Sequence, residues 1–189
     1  MPIWQWILIG AVVVVVVVAA VVAAGMIRFR TKTKRLKEHY GTEYERVVDE
    51  TGSEKGAVRE LKTREHKHDK LDIVPLTPSA LSEFTARWQE VQAGFVDNPA
   101  TAVGVADRLV TEVMSQRGYP VDDFDQRAAD ISVDHPQIVD NYRAAHGIHT
   151  SEQQADTEQQ REAFMHYRAL FEKLLEIPTD NAASQEASA

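Results

Sequence analysis

Residues 77–118 read TPSALSEFTARWQEVQAGFVDNPATAVGVADRLVTEVMSQRG, and the reading of this stretch decides the fold. Thr77 before Pro78 is an N-cap followed by proline at the first helical position, where a missing N–H breaks no bond within the helix. Leu81, Phe84, Trp88, Val91 and Phe95 then recur at spacings of three and four, which lays one apolar stripe along one helix. Asn98-Pro99 repeats the start signal, and Ala102, Val105, Ala106, Leu109, Val110, Val113 and Met114 form a second stripe that stops at Gly118. Only Asp97 to Pro99 separates the two helices, so they fold back on each other.

Downstream, a shorter helix from about Asp122 to Ile131 offers Phe124, Ala128 and Ile131. Another starts near Asp134-His135-Pro136, offers Ile138, Tyr142 and Ala145, and is expected to end at Gly147. Thr150 or Ser151, followed by Gln153 or Gln154, resembles a capping box for a last long helix whose stripe is Phe164, Tyr167, Leu170, Phe171, Leu174 and Leu175. Residues 77–177 are therefore expected to form a small bundle of five helices, and 178–189 a disordered tail.

Upstream, residues 28–76 are charged and sparsely apolar. Tyr40, Tyr44, Val47, Val48, Ala57, Val58 and Leu61 stand at roughly helical spacing, with Gly41 and Gly52 as punctuation, which predicts a charged helical stalk whose longest piece runs from about Glu54 to Lys70. Leu71 to Leu76 reads as an extended connector or a single edge strand. Ahead of the stalk, the apolar run from Ile7 to Ile27 has Trp4 and Trp6 at its front edge and is long enough to cross about 30 Å of hydrocarbon. The expected fold is thus all-α, with one N-terminal transmembrane helix in residues 1–27, the stalk and the C-terminal bundle. Small residues at Ala19, Ala20, Ala23, Ala24 and Gly25 offer either close approach of two such helices in a homodimer or a cleavage site after a signal sequence. The basic residues argue against cleavage, because they follow the apolar run instead of preceding it. Their position predicts an outside N-terminus and a cytoplasmic C-terminal domain.

Charge divides the chain unevenly. Residues 1–37 hold six Lys and Arg and no acid, which leaves 15 basic against 29 acidic residues in the rest, a net −14. That part repels phosphate backbones, so no nucleic acid is expected as a partner. The lipid bilayer is the expected partner of residues 7–27, and the basic cluster Arg28 to Lys37 either sets topology or holds anionic headgroups. With no cysteine, disulfides, thiol catalysis and thiolate zinc sites are excluded.

Chemical motifs are sparse. His146 and His149, with Asp134 and His135 about one helix upstream, draw a metal site on paper, but a helix broken at Gly147 removes the geometry, and no metal or cofactor is expected. Asp122, Asp123, Asp125, Asp130 and Asp134 crowd one stretch without the glycine and closing glutamate of a calcium loop. Glu65, His66 and His68 read as a solvated face. No nucleophile motif or phosphate loop stands out, so no catalytic residue is assigned. The densest mixture of aromatic, basic and helix-break residues is Arg117, Tyr119, Asp134, His135, Tyr142 and His146, which form the candidate binding surface.

Across Trp88 to His146, the segments Phe95-Val96-Asp97-Asn98-Pro99, Arg117-Gly118-Tyr119-Pro120, Asp123-Phe124, Ala128-Ala129-Asp130 and Ser132-Val133-Asp134-His135-Pro136 resemble a group of uncharacterised bacterial proteins that also carry a hydrophobic N-terminal segment. That resemblance implies a bacterial source and a recurring helical domain, and with the apolar run the expected location is the inner membrane of a bacterium. It assigns no activity and carries over no functional residue. The expected function is a single-pass, membrane-anchored tether or adaptor that binds another protein, with a small-molecule-binding or catalytic bundle around Tyr119, Asp134, His135, Tyr142 and His146 as the alternative.

Overall fold

The structure is a computed structural model that describes the backbone of residues 3–151 and 155–176, and the side chains of that range except 3–15, 21–23, 25, 27 and 28. Eight helices account for nearly all of it: α1 (Ile3–Tyr40), α2 (Thr42–Thr51), α3 (Glu54–His68), α4 (Pro78–Gly94), α5 (Pro99–Gln116), α6 (Phe124–Asp134), α7 (Val139–Thr150) and α8 (Thr157–Leu175). The chain divides into two compact units, Met1–Leu61 and Lys62–Ala189.

The all-α class holds, but its transmembrane element is corrected: among the described residues no helix is long and apolar enough to cross a membrane. The apolar residues belong to α1, which does not stop at the basic cluster but runs on as one 38-residue helix through charged sequence to Tyr40. Within the expected span Ile7–Ile27, the described side chains are Val16 to Ala20, Ala24 and Met26; the others lie outside the described residues.

In the first unit the segment read as a stalk carries a core of its own. Leu36, Tyr40, Tyr44, Val47, Ala57, Val58 and Leu61 are buried together, with Phe29 and Val48 packed at the edge. Gly41 and Gly52 adopt φ of +53° and +68°, conformations glycine reaches without a Cβ clash, and these turn the chain between α1, α2 and α3. Glu43 is fully buried, and its carboxylate accepts from Arg46 Nε and Nη2 at 2.9 and 2.7 Å. Lys37 lies 3.3 Å from Glu54 and 3.7 Å from Glu45, so one ammonium serves acids of both following helices.

In the second unit α4 and α5 start where their caps lie. Thr77 Oγ1 accepts from Ala80 N–H at 3.2 Å and Asn98 Oδ1 from Thr101 N–H at 3.0 Å, each ahead of its proline. Helix α6 starts at Phe124 under an Asp123 cap. Helix α7 starts at Val139 and, against expectation, continues through Gly147 to Thr150. A helical glycine costs only about 1 kcal/mol relative to alanine, and Ile148 beyond it packs against the core, which offsets that cost. The expected box at Thr150 or Ser151 is displaced: residues 152–154 lie outside the described set, and α8 begins at Thr157 with Asp156 and Gln159 as a reciprocal capping box. The expected tail, 178–189, also lies outside the described residues. Leu71 to Leu76 is extended connector, without a strand among the described residues.

Helix α5 packs against both α4 and α8, and α7 packs on α8. The stripes of α4 and α8 meet in an aromatic stack: the Trp88 ring lies 4.5 Å from Phe171 and 5.1 Å from Phe164, with Phe95 on Phe164 at 4.9 Å. Truncating so large a buried ring leaves a cavity that neighbouring helices cannot close. Trp88→Ala is expected to destabilise the second unit by about 3–5 kcal/mol, read from denaturant or thermal unfolding of the full chain; an unchanged transition would remove that side chain from the core.

Candidate functional site: two polar clasps

Arg117-Gly118-Tyr119-Pro120 forms the turn that leaves α5, and each of its first three residues has a separate task. Gly118 has φ of +95°, and a Cβ built on it would lie 2.3 Å from the carbonyl oxygen of Asp72. Only glycine lets the connector pass this close. Arg117, 4 % exposed, donates from Nη1 to the Leu174 carbonyl at 3.0 Å and from Nε to the Val74 carbonyl at 3.4 Å, while Val74 N–H donates to the Arg117 carbonyl at 2.9 Å. One guanidinium thus ties the connector to the last turn of α8. That turn supplies carbonyls with no partner inside their helix.

Tyr119 turns the other way. Its hydroxyl donates to Asp134 Oδ2 at 2.5 Å, and His68 Nε2 donates to the same oxygen at 2.8 Å. Asp134 closes α6 and His68 closes α3, so one carboxylate oxygen holds two helix ends and the turn. Burial works against ionisation of Asp134, but the hydrogen bonds from His68 and Tyr119 prevail and hold it below the ordinary carboxylate range. The bond to Asp134 raises His68 above the ordinary imidazole value, and burial followed by its own bond to Asp134 pushes the Tyr119 phenol far up. One turn earlier on α6, Asp130 is buried with both oxygens 2.9 Å from Gln126 Nε2; burial raises its acid above the ordinary value.

The second clasp lies elsewhere in the unit. Tyr142 hydroxyl accepts from Arg127 Nε at 2.8 Å, and Arg127 Nη1 donates to the Val121 carbonyl at 3.0 Å. His146 stacks flat on Phe124, with ring centroids 3.6 Å apart and 7° between planes. Tyr167 hydroxyl donates to Asp107 Oδ1 at 2.8 Å, joining α8 to α5. Burial lowers His146, and its Nδ1 is enclosed without a partner.

Five of the six residues singled out from the sequence therefore fall into two groups, and His135 stands apart. Arg117, Tyr119 and Asp134 gather around the turn after α5; Tyr142 and His146 sit in the second clasp. His135 is the C-cap of α6, its backbone N–H bonded to the Ile131 carbonyl at 2.8 Å and its Nε2 enclosed without a partner. The residue that sequence reasoning missed is His68, placed on a solvated face but bonded to an acid 66 positions away. No local signal marks it, because the pairing exists only once α3 and α6 are docked. Among the described residues, no group of three or more His, Asp or Glu side chains is arranged to hold a metal ion.

No protein-family model matches the chain, and neither a curated protein nor a solved structure is similar to it.

The His68–Asp134 bond has a pH signature. A raised His68 contributes stability that is complete below the ordinary imidazole value of 6.5 and is lost as pH climbs through the folded value. The lowered Asp134 contributes stability that is present above 3.8 and lost as pH falls through its folded value. His135 and His146, both lowered by burial, slope the other way around neutrality, so the contribution of His68 must be read as a difference. The stability gap between the native chain and His68→Gln is expected to be about 1–2 kcal/mol near pH 5 and to shrink by pH 8. A gap independent of pH would show that His68 carries no charge in the clasp. Gly118→Ala should cost about 2–4 kcal/mol at every pH, through the left-handed backbone and the contact with Asp72.

Proposed function

We propose that this chain is a tether or adaptor whose Lys62–Leu175 bundle docks another protein. The observation that carries the reading is the use made of Arg117, Tyr119, Asp134, Arg127 and Tyr142: each bonds across elements, which stiffens the bundle and presents fixed outer faces. That segment is acidic, with 12 Lys and Arg against 19 Asp and Glu in residues 62–175, and acidic surfaces steer basic partners. Val96, 84 % exposed in the α4–α5 connection, and Met165, half exposed on α8, supply apolar contact points beside that charge. A rigid, preorganised face loses little entropy on docking.

A second reading rests on a different feature. Between α4 and α5 lies an open polar groove of about 490 Å³, lined by Thr77, Glu83, Arg87, Glu112, Ser115 and Gln116 and bridged by an Arg87–Glu112 pair at 2.6 Å. A small polar ligand would sit there, away from both clasps.

A photo-cross-linking residue placed at Val96 or Met165 of the full chain, in cells of its source, separates the readings. The expected result is a discrete adduct with one other protein, weakened when neighbouring acids are neutralised; an adduct of twice the chain mass would make that partner a second copy. Absence of any adduct, together with a saturable rise in melting temperature with a small polar metabolite that Arg87→Ala abolishes, would contradict the docking reading and favour the groove.

A further inference from the structure

Helix α1 presents two surfaces that the core of its unit leaves uncovered. Val16, Val17, Val18 and Met26 are all more than half exposed, an unusual density of bare apolar side chains for a helix facing water. Immediately after them, Arg30, Lys32, Lys34, Arg35 and Lys37 are exposed in a stretch with no acid before Glu38. On one side of α1 this basic segment borders an open groove of about 380 Å³, lined by Phe29, Arg30, Thr33, Lys34 and Lys37 and by the acids Glu38 and Glu54 that pair with the two lysines. Thr33, only 8 % exposed, has a hydroxyl without a hydrogen-bond partner among the described residues. Lys34 and Lys37 are already drawn toward Glu38 and Glu54, whereas Arg30 has no ion pair among the described residues.

We propose that the Phe29–Lys37 groove seats the phosphate headgroup of an anionic lipid, with the exposed apolar side chains of α1 lying against the acyl layer next to it. Charge selects the occupant. A helix that carries bare apolar side chains at Val16 to Val18 and at Met26, and four residues after Met26 the cation Arg30, unpaired among the described residues, matches the two chemistries that an anionic lipid surface offers, apolar chain and negative headgroup. A second copy of the chain would bring the same cations against themselves. In the groove, Arg30 is the free charge, the enclosed Thr33 hydroxyl supplies a donor to a phosphate oxygen, and the Phe29 ring borders the first methylenes. The contact is made on the surface of α1 and requires no crossing of a bilayer. It is independent of the partner proposed for the bundle, which lies in the other unit.

Co-sedimentation of the full chain with vesicles tests this, using phosphatidylcholine alone and an equal mixture of phosphatidylcholine and phosphatidylglycerol. Binding is expected to favour the anionic vesicles and to weaken with added salt. Each cation removed near a charged surface loses about fivefold, so Arg30→Gln with Lys34→Gln should lose about thirtyfold on anionic vesicles and little on neutral ones. Both side chains are exposed, so the variant should keep the helical content of the native chain, checked by circular dichroism. Thr33→Val is expected to lose binding several-fold without losing stability. Equal binding to both vesicle types, or a double variant indistinguishable from the native chain, would overturn the proposal. A concentration-dependent dimer with no vesicle binding would instead assign the face to a second copy, and displacement by millimolar inorganic phosphate would assign the groove to a free anion.

Discussion

The second unit depends on one steric constraint, the 2.3 Å at which a side chain on Gly118 would meet the carbonyl of Asp72. Because the connector lies against the turn at this distance, Val74 comes within reach of the Arg117 backbone and side chain. The same turn reverses direction after α5 and aims Tyr119 at Asp134. A larger residue at position 118 separates these partners together, and two buried polar groups would then lose their bonds in a setting where unmade bonds are expensive. Helix ends are the natural place for such bonds. The carbonyl of Leu174, in the last turn of α8, lacks a partner within its own helix and is met by Arg117, while Tyr119 and His68 meet the side-chain carboxylate of Asp134 at the end of α6.

What was legible in the sequence follows from how local each cause is. Thr77-Pro78 and Asn98-Pro99 are complete start signals within four residues, and α4 and α5 begin where they stand. The stripes through Trp88 and Phe171 named their core residues, although not that the two rings stack. Gly147 misled because a propensity of about 1 kcal/mol is outweighed by packing of the residues on either side. The box expected at Thr150 misled because a hydroxyl and an amide at the right spacing are common, and Asp156 with Gln159 satisfies the same rule six residues later. His68 was out of reach, since the acid it bonds is 66 positions away. The apolar run reads as a transmembrane helix within residues 1–27, whereas the helix containing it extends to Tyr40 without a break and, among the described residues, no helix is long and apolar enough to cross a membrane.

Polarity organises the chain on a larger scale. The basic residues before Glu38 and the acidic excess after it give the two units different electrostatic characters, and each proposed partner follows from the unit it meets. Within the bundle, in contrast, charge is used at short range. Asp134 and Arg117 are each bonded more than once, and burial strengthens such bonds by excluding water. Residues conspicuous in the sequence, Arg117, Tyr119 and Asp134, thus bond across elements of the bundle.

The central claim is that Asp134 works as a clasp between elements. A double-mutant cycle on unfolding free energy with Tyr119→Phe and Asp134→Asn tests it most directly. Coupling of about 1–2 kcal/mol between the two sites is the result this account predicts. Additive effects, with coupling below about 0.3 kcal/mol in proteins that fold normally, would contradict it and return Tyr119 and Asp134 to the candidates for chemistry.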